Sequence, residues 1–476
     1  VSGLYAARRL LAILTAAILL RLVFLGRMSL WMDEGYTWHF SSARWGELFR
    51  SVAGGDNHPP LYYLLVSCFR IFGESEFILR LPAALFGVLT VLLTVRIGEK
   101  FVSRRAAFLA GIFTACSSFM LLFSRETRMY PMVGFLLLLN LYYLDAALAR
   151  GGRRDWILHS LSLAAALYTH YLAFVFLLAQ GIALAVGRRI SREWLLSVLA
   201  SAAVFLPWGI YFGLHWKGGY WGHEAPPPNA LLEAFYSQAF GFTLYFSAVW
   251  QWLTLALASA GLFLLGCRPL KGGDVKYLFL PFAFLFFLLS TLALAAWTPV
   301  KIWEAKYLYV AAPFFWLTVA RALDGFSAGW WRSATAAVLV LLNGVSFFNV
   351  LFHPEWGRQD NRQAAAWLLT RCRKGDPVLV LPSYQRYALE YYLRGVQVRL
   401  FPLGKKEVDE FSFPGDFMKT GRLFLVRGPW WLTDPRGRVR EAISSRASLV
   451  DSMETMNRNA SFVLSAEIYI PRQESR

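Results

Sequence analysis

Apolar runs of 15 to 22 residues recur along this chain from residue 10 to about 351 and then stop. A hydrocarbon core of about 30 Å needs roughly 20 such residues per helix, and shorter spans are tolerated where a bundle or the bilayer adapts. Backbone groups in lipid must be satisfied within the segment, so repeated runs of this length imply helices. The rest of the composition agrees, with 57% of the 476 residues hydrophobic and 16% charged, against about 25% charged in soluble domains. These proportions exclude an ordinary cytosolic enzyme and a disordered chain. The expected fold is a polytopic α-helical membrane protein of about eleven transmembrane helices, over 10–27, 78–98, 106–123, 129–149, 156–169, 171–187, 194–213, 244–266, 276–297, 306–324 and 333–351. Residues 1–352 form this domain, with outer loops at 28–77 and 214–243, and 353–476 form an extracytoplasmic α/β domain. Leu10 to Leu25 runs into Gly26-Arg27-Met28 without a clear small-residue cleavage site and is read as the first span.

Lys and Arg outnumber Asp and Glu by 48 to 30. The excess is not gathered on one soluble domain, so it does not point to nucleic acid. Alternate loops hold Arg8, Arg9; Arg96, Lys100, Arg104, Arg105; Arg150, Arg153, Arg154; Arg188, Arg189, Arg192; Arg268, Lys271, Lys276; and Arg321, Arg332. Basic loops stay in the cytoplasm, which puts the N-terminus inside and 28–77 and the tail outside a cytoplasmic (inner) membrane. Basic residues at both ends of 156–187 require two short spans turning near His170, and Pro59 to Phe72 is too short to cross, so it is read as interfacial or re-entrant. The four cysteines have neither metal spacing nor a paired framework.

Chemistry-bearing residues gather on the outer side. Outer loop one holds six acids, among them the adjacent pair Asp33-Glu34 just past the first span. An ionised pair there needs water, cations or substrate, although a helix cap is an alternative. Gly54-Gly55-Asp56-Asn57-His58-Pro59-Pro60 reads as a tight turn opening an aromatic helix, with His58 a phosphate or metal ligand or a plain turn residue. After the third span comes Ser124-Arg125-Glu126-Thr127-Arg128-Met129-Tyr130; on a helix Arg125 and Arg128 share one face and Glu126 and Tyr130 another. Two guanidinium groups there suit an anion, against a reading as snorkelling side chains. Lys301, Lys306 and Tyr307 form a later cluster that either anchors the boundary or binds the same anion. His170 is read as a satisfied turn residue. Gly218 to Glu224 suits a lid or a sugar platform.

These motifs together resemble the membrane glycosyltransferases of the GT-C class, most of all the bacterial branch related to protein O-mannosyltransferases and the aminoarabinose transferase of lipid A. The likeness rests on Trp31-Met32-Asp33-Glu34, His58-Pro59-Pro60-Leu61-Tyr62-Tyr63, Arg80-Leu81-Pro82, Ser124 to Tyr130 and Lys306-Tyr307-Leu308, and covers about the first 350 residues. It implies transfer of a sugar from a polyprenyl-phosphate donor to an acceptor hydroxyl on a lipid, protein or glycan, at the outer face of the membrane and with inversion. It also implies that Asp33 is the catalytic acid, with Glu34 beside it, and that Arg128, Tyr130 and Lys306 lie toward the donor phosphate. No spacing requires a cofactor, though Glu34 or Glu126 would suit Mg or Mn. A secondary transporter or lipid flippase is the alternative reading, against which the charged residues collect at one face instead of the bilayer midplane and no clear inverted repeat is seen; a receptor or scaffold is a third, and it leaves the Asp33-Glu34 pair without a purpose.

Overall fold

The computed structural model describes residues 2–216, 226–244, 248–268, 275–297, 303–414, 420–429, 433–455, 457 and 463–472. Its helices, in chain order, are α1 Ser2–Leu22, α2 Met32–Ser42, α3 Trp45–Gly55, α4 Leu61–Phe69, α5 Glu76–Phe101, α6 Arg104–Cys116, α7 Ser118–Ser124, α8 Tyr130–Arg150 and α9 Arg153–Thr169. They continue as α10 Leu172–Val186, α11 Arg192–His215, α12 Ala230–Phe240, α13 Val249–Cys267, α14 Phe279–Trp297, α15 Ala312–Asp324, α16 Gly329–Phe352, α17 Asn361–Arg371, α18 Arg386–Tyr392, α19 Lys405–Asp409 and α20 Arg438–Arg446. The chain divides into two bodies: Val1–Leu25, Ala43–Gly73 and Ile78–Asn349 form one, and Gly26–Ser42, Glu74–Phe77 and Val350–Arg476 the other. The second body therefore takes in two pieces of the first outer loop as well as the tail, a division that a boundary at 352 does not give.

The first body is a multi-pass helical membrane bundle. Each of the eleven expected spans contains a helix, but among the described residues six helices are long and apolar enough to cross a membrane. A seventh is added if α6 and α7, bent by 56° at Ser117, count as one. Arginines at positions 8, 9 and 21 interrupt α1, and α9, α10 and α15 have 17, 15 and 13 residues. The turn expected at His170 is present. His159 Nε2 lies 3.2 Å from Gln180 Oε1, and these positions flank His170 by eleven and ten residues, so α10 runs back along α9. Asn140, on α8, donates to the His159 carbonyl at 2.8 Å and accepts from Gln180 at 2.9 Å, while Ser197, on α11, meets His159 Nδ1 at 2.9 Å. These buried mid-helix polar groups satisfy one another, which is how amides and hydroxyls join helices in lipid.

Buried arginines finish several helices. A helix end leaves carbonyls without partners and carries a partial negative charge, which a guanidinium fork answers. Arg21 donates to the carbonyls of Thr114 and Ala115 at 3.2 Å, where α6 stops. Arg125 donates to those of Leu20, Arg21 and Val23 at 2.8 to 3.0 Å, where α1 stops. Arg321, on α15, does the same for Gly266 and Arg268 at the end of α13. Gly87 gives Arg21 room, because a Cβ there would lie 2.6 Å from its Nε. Part of the expected outer loop 214–243 is the largely buried helix α12, which packs on α13 through Tyr236 and Trp252. Gly218 to Glu224 lie outside the described residues.

The second body is a five-stranded mixed sheet with helices, as the alternating apolar tail segments predict. Its strands are β1 Pro377–Leu381, β2 Arg399–Pro402, β3 Leu423–Arg427, β4 Ala447–Glu454 and β5 Ser465–Pro471, in the order β2-β1-β3-β5-β4. β1 is parallel to β2 and β3, while β5 is antiparallel to β3 and β4. All five β1 residues are buried, because both faces of this central strand are covered. Val378 and Val380 pack with α17 and α18 on one face, and Leu379 and Leu381 with Val439 and Ile443 on the other.

Candidate active site

In the first body, five helix ends bring distant residues together. Asp56 closes α3, its backbone N–H bonding to the Val52 carbonyl, and Pro59-Pro60 then start α4. Asp56 Oδ1 accepts from the Asn57 N–H at 2.6 Å and lies 2.8 Å from His58 Nδ1, while Oδ2 accepts from the Tyr63 hydroxyl. Burial pushes the Asp56 carboxyl up. The charge and hydrogen bond of His58, then the charge of Arg128 and the bond from Tyr63, outweigh it and hold the group below the ordinary carboxylate range.

The His58 ring stands 5.1 Å from that of His170, which closes α9. Tyr130 at the start of α8 and Tyr307 each lie 5.8 Å from His170 and 6.0 Å from each other. Arg128 lies over the Tyr130 ring at 5.9 Å, and Lys306 over Tyr307 at 5.7 Å. Lys306 is buried and paired with Glu304 at 2.6 Å. Burial, then the charges of His58, Arg128 and Lys306, depress the pKa of His170 well below 6.5, so this imidazole is neutral. The Leu172 N–H donates to its Nδ1 at 3.0 Å. The proton therefore sits on Nε2, which has no hydrogen-bond partner among the described residues. His170 is thus a neutral donor among cations, a role not legible in a reading of it as a satisfied turn residue.

His58, Arg128, Tyr130, Lys306 and Tyr307 are thus brought together, and Asp56 and His170 join them. Arg125 does not. Residues 125–129 are a turn and not a helix, so Arg125 and Arg128 share no face, and the Arg125 guanidinium is held by the carbonyls of α1. Glu126 is buried in the same turn, where its carbonyl accepts from the Arg128 N–H at 2.7 Å. Lys301 lies outside the described residues. Among the described residues no group of three or more His, Cys, Asp and Glu could hold a metal ion, and no step below uses one.

Asp33 and Glu34 belong to the other body, in the first turn of α2. Glu34 is fully buried, and its Oε2 accepts from the Trp31 N–H at 3.3 Å. This is the reach of a third-position acid back to a helix cap, so Glu34 supports the helix start. Asp33 is half-buried beside it. α2 is fixed to α18 at Gly35, where a Cβ would stand 2.5 Å from the Ala388 nitrogen, and by Tyr36 and His39 against Tyr387.

Residues 57–211 match the family model described as dolichyl-phosphate-mannose-protein mannosyltransferase. No curated protein matches. Among solved structures, ArnT from Cupriavidus metallidurans has a TM-score of 0.65 at 13% identity, covering 97% of this chain and 98% of that one. The same protein bound to undecaprenyl phosphate gives 0.62 at 14%, over 96% and 97%. The oligosaccharyltransferase AglB from Archaeoglobus fulgidus, in complex with an inhibitory peptide and a dolichol-phosphate, gives 0.51 at 11%, over 94% and 73%.

Proposed function

We infer that this chain, whose residues 57–211 match the dolichyl-phosphate-mannose-protein mannosyltransferase model, is a membrane glycosyltransferase that takes its sugar from a polyprenyl-phosphate donor. The observation that carries this reading is the convergence of Arg128, Lys306 and His58 with the neutral donor His170 and the Tyr63, Tyr130 and Tyr307 rings. ArnT with undecaprenyl phosphate shares the fold, and a lipid phosphate is the ligand this cluster suits. Two cations balance a phosphodiester and the charge that grows on it as the sugar leaves. Asp56 holds His58 in one orientation, and of the three tyrosines the half-buried Tyr307 has ring surface left for a prenyl chain or a sugar.

In the reaction, the acceptor hydroxyl attacks the anomeric carbon and the bond to the phosphate oxygen breaks. The electron pair goes to the phosphate beside Arg128 and Lys306, and the hydroxyl proton goes to a carboxylate. We assign that carboxylate to Asp33, as the resemblance carried by Trp31-Met32-Asp33-Glu34 implies. A single displacement inverts the anomeric centre. The cluster lies at the ends of α8 and α9 remote from Arg150, Arg153 and Arg154, so the positive-inside rule puts the reaction on the outer face. The mid-bundle polar groups Asn140, His159 and Gln180 bond to one another, which favours a transferase over a midplane transport path.

The test is transfer of labelled sugar from a polyprenyl-phosphate donor. Asp33→Asn is expected to lower kcat at least about a hundredfold with donor binding retained. Equal turnover in variant and wild type would remove Asp33 from the role of base.

A further inference from the structure

The second body contains a cavity of about 470 Å³ lined by Leu381, Arg427, Asp434, Arg436, Gly437, Arg440, Glu441 and Ser444. Leu381 ends β1 and Arg427 ends β3, its parallel neighbour. From β1 the chain passes to β2 on one side of the sheet. From β3 it passes through the helix Arg438–Arg446 to β4 on the other. Neighbouring parallel strands whose onward connections part in this way leave a crevice at their carboxyl ends, where open α/β sheets bind ligands. The volume falls within the roughly 300–1,000 Å³ of small-molecule sites and exceeds what an inorganic anion needs.

The charge of the lining decides the ligand class. Asp434 Oδ1 and Oδ2 accept from the N–H groups of Arg438 and Val439 at 2.9 Å, so the helix start is already answered by a carboxylate. Glu467 lies 2.6 Å from Arg427 and 3.3 Å from Arg440, aligning both guanidinium groups from below. Arg440 stays half-exposed and Arg436 is exposed; Arg436 precedes the helix, across the left-handed Gly437, Arg440 lies in its first turn and Ser444 one turn further. Glu441 and Ser444 can meet sugar hydroxyls, and the two arginines an oxyanion. We propose that this crevice binds an anionic saccharide, a sugar carrying a phosphate or a carboxylate, at a site distinct from the Arg128 and Lys306 cluster.

Calorimetry on the full-length protein in detergent, saturated beforehand with undecaprenyl phosphate, tests this with four probes: glucose 6-phosphate, glucuronate, glucose and inorganic phosphate. At least one of the two anionic sugars should bind about tenfold or more tightly than glucose and than inorganic phosphate. Arg436→Gln with Arg440→Gln should lower that affinity by about tenfold or more, as expected for the loss of charge-assisted hydrogen bonds, with the melting temperature and the KM for donor unchanged. Glucose or phosphate binding as tightly as the anionic sugars, or unaltered affinity in the double variant, would overturn the proposal.

Discussion

The protonation of one histidine follows from its burial, from one neighbour in the chain and from three in space. Leu172 donates to Nδ1 of His170, and His58, Arg128 and Lys306 make a second positive charge costly. The folded pKa lies well below that of an unfolded histidine, about 6.5. Below that pH the unfolded chain takes up a proton that the folded chain refuses. The stability His170 contributes is therefore present above about pH 6.5 and falls on acidification, by at most about 1.4 kcal/mol per unit, until the folded pKa is passed. Melting between pH 7 and 5 should show this slope, and His170→Gln should reduce it, leaving the part due to other histidines such as His39, whose pKa burial and then Arg386 lower to about 4. Asp56→Asn removes the negative charge and one of the two acceptor oxygens that serve His58 and Tyr63; kcat/KM should fall roughly 10- to 100-fold, as when other supporting hydrogen bonds are lost, while the folded fraction is retained. Neither residue stands out in the sequence. Asp56 is one of six acids in its loop, and His170 lies about 110 residues from the ring it meets. By contrast His58, Arg128 and Lys306 are legible, because polar groups beside apolar runs need a reason to be there.

Helix ends dominate at the next scale. The apolar runs predict where helices lie, and the pairing of α9 with α10 is legible because both ends of 156–187 are basic. What the runs do not reveal is where a helix bends or which side chain finishes it. Arg125 and Arg128 look alike in sequence, three residues apart, yet the chain leaves α7 at Ser124 and turns, sending one to the end of α1 and the other to Tyr130. Arg125→Gln should cost about 2–4 kcal/mol, since carbonyls of α1 lose a buried cation. Donor affinity in the surviving folded protein should be unchanged, whereas Arg128→Gln should do the reverse; thermal melting and donor titration of both variants check the pair. Gly35→Ala forces α2 off the Ala388 backbone and should destabilise the second body by about 1–3 kcal/mol, read as early loss of sheet signal on heating.

Across the whole molecule, the sequence motifs are shared between two bodies. The acids of the first outer loop part company: Asp56 belongs to the helical bundle, and Asp33 and Glu34 belong to the body built on the sheet. Contiguity in sequence hides this, because Gly26–Ser42 and Glu74–Phe77 join the tail through partners far along the chain, such as Leu30 with Tyr392, 362 positions away, and Glu76 with Arg362, 286 away. The overall class was legible from the length of the apolar runs and from where they stop. The central claim is that Arg128 and Lys306 hold the donor phosphate. Titration of undecaprenyl phosphate into wild type, Arg128→Gln and Lys306→Gln tests it most directly. Each substitution should weaken binding about tenfold or more, with the fold intact by melting; an affinity equal to wild type in both would contradict the account.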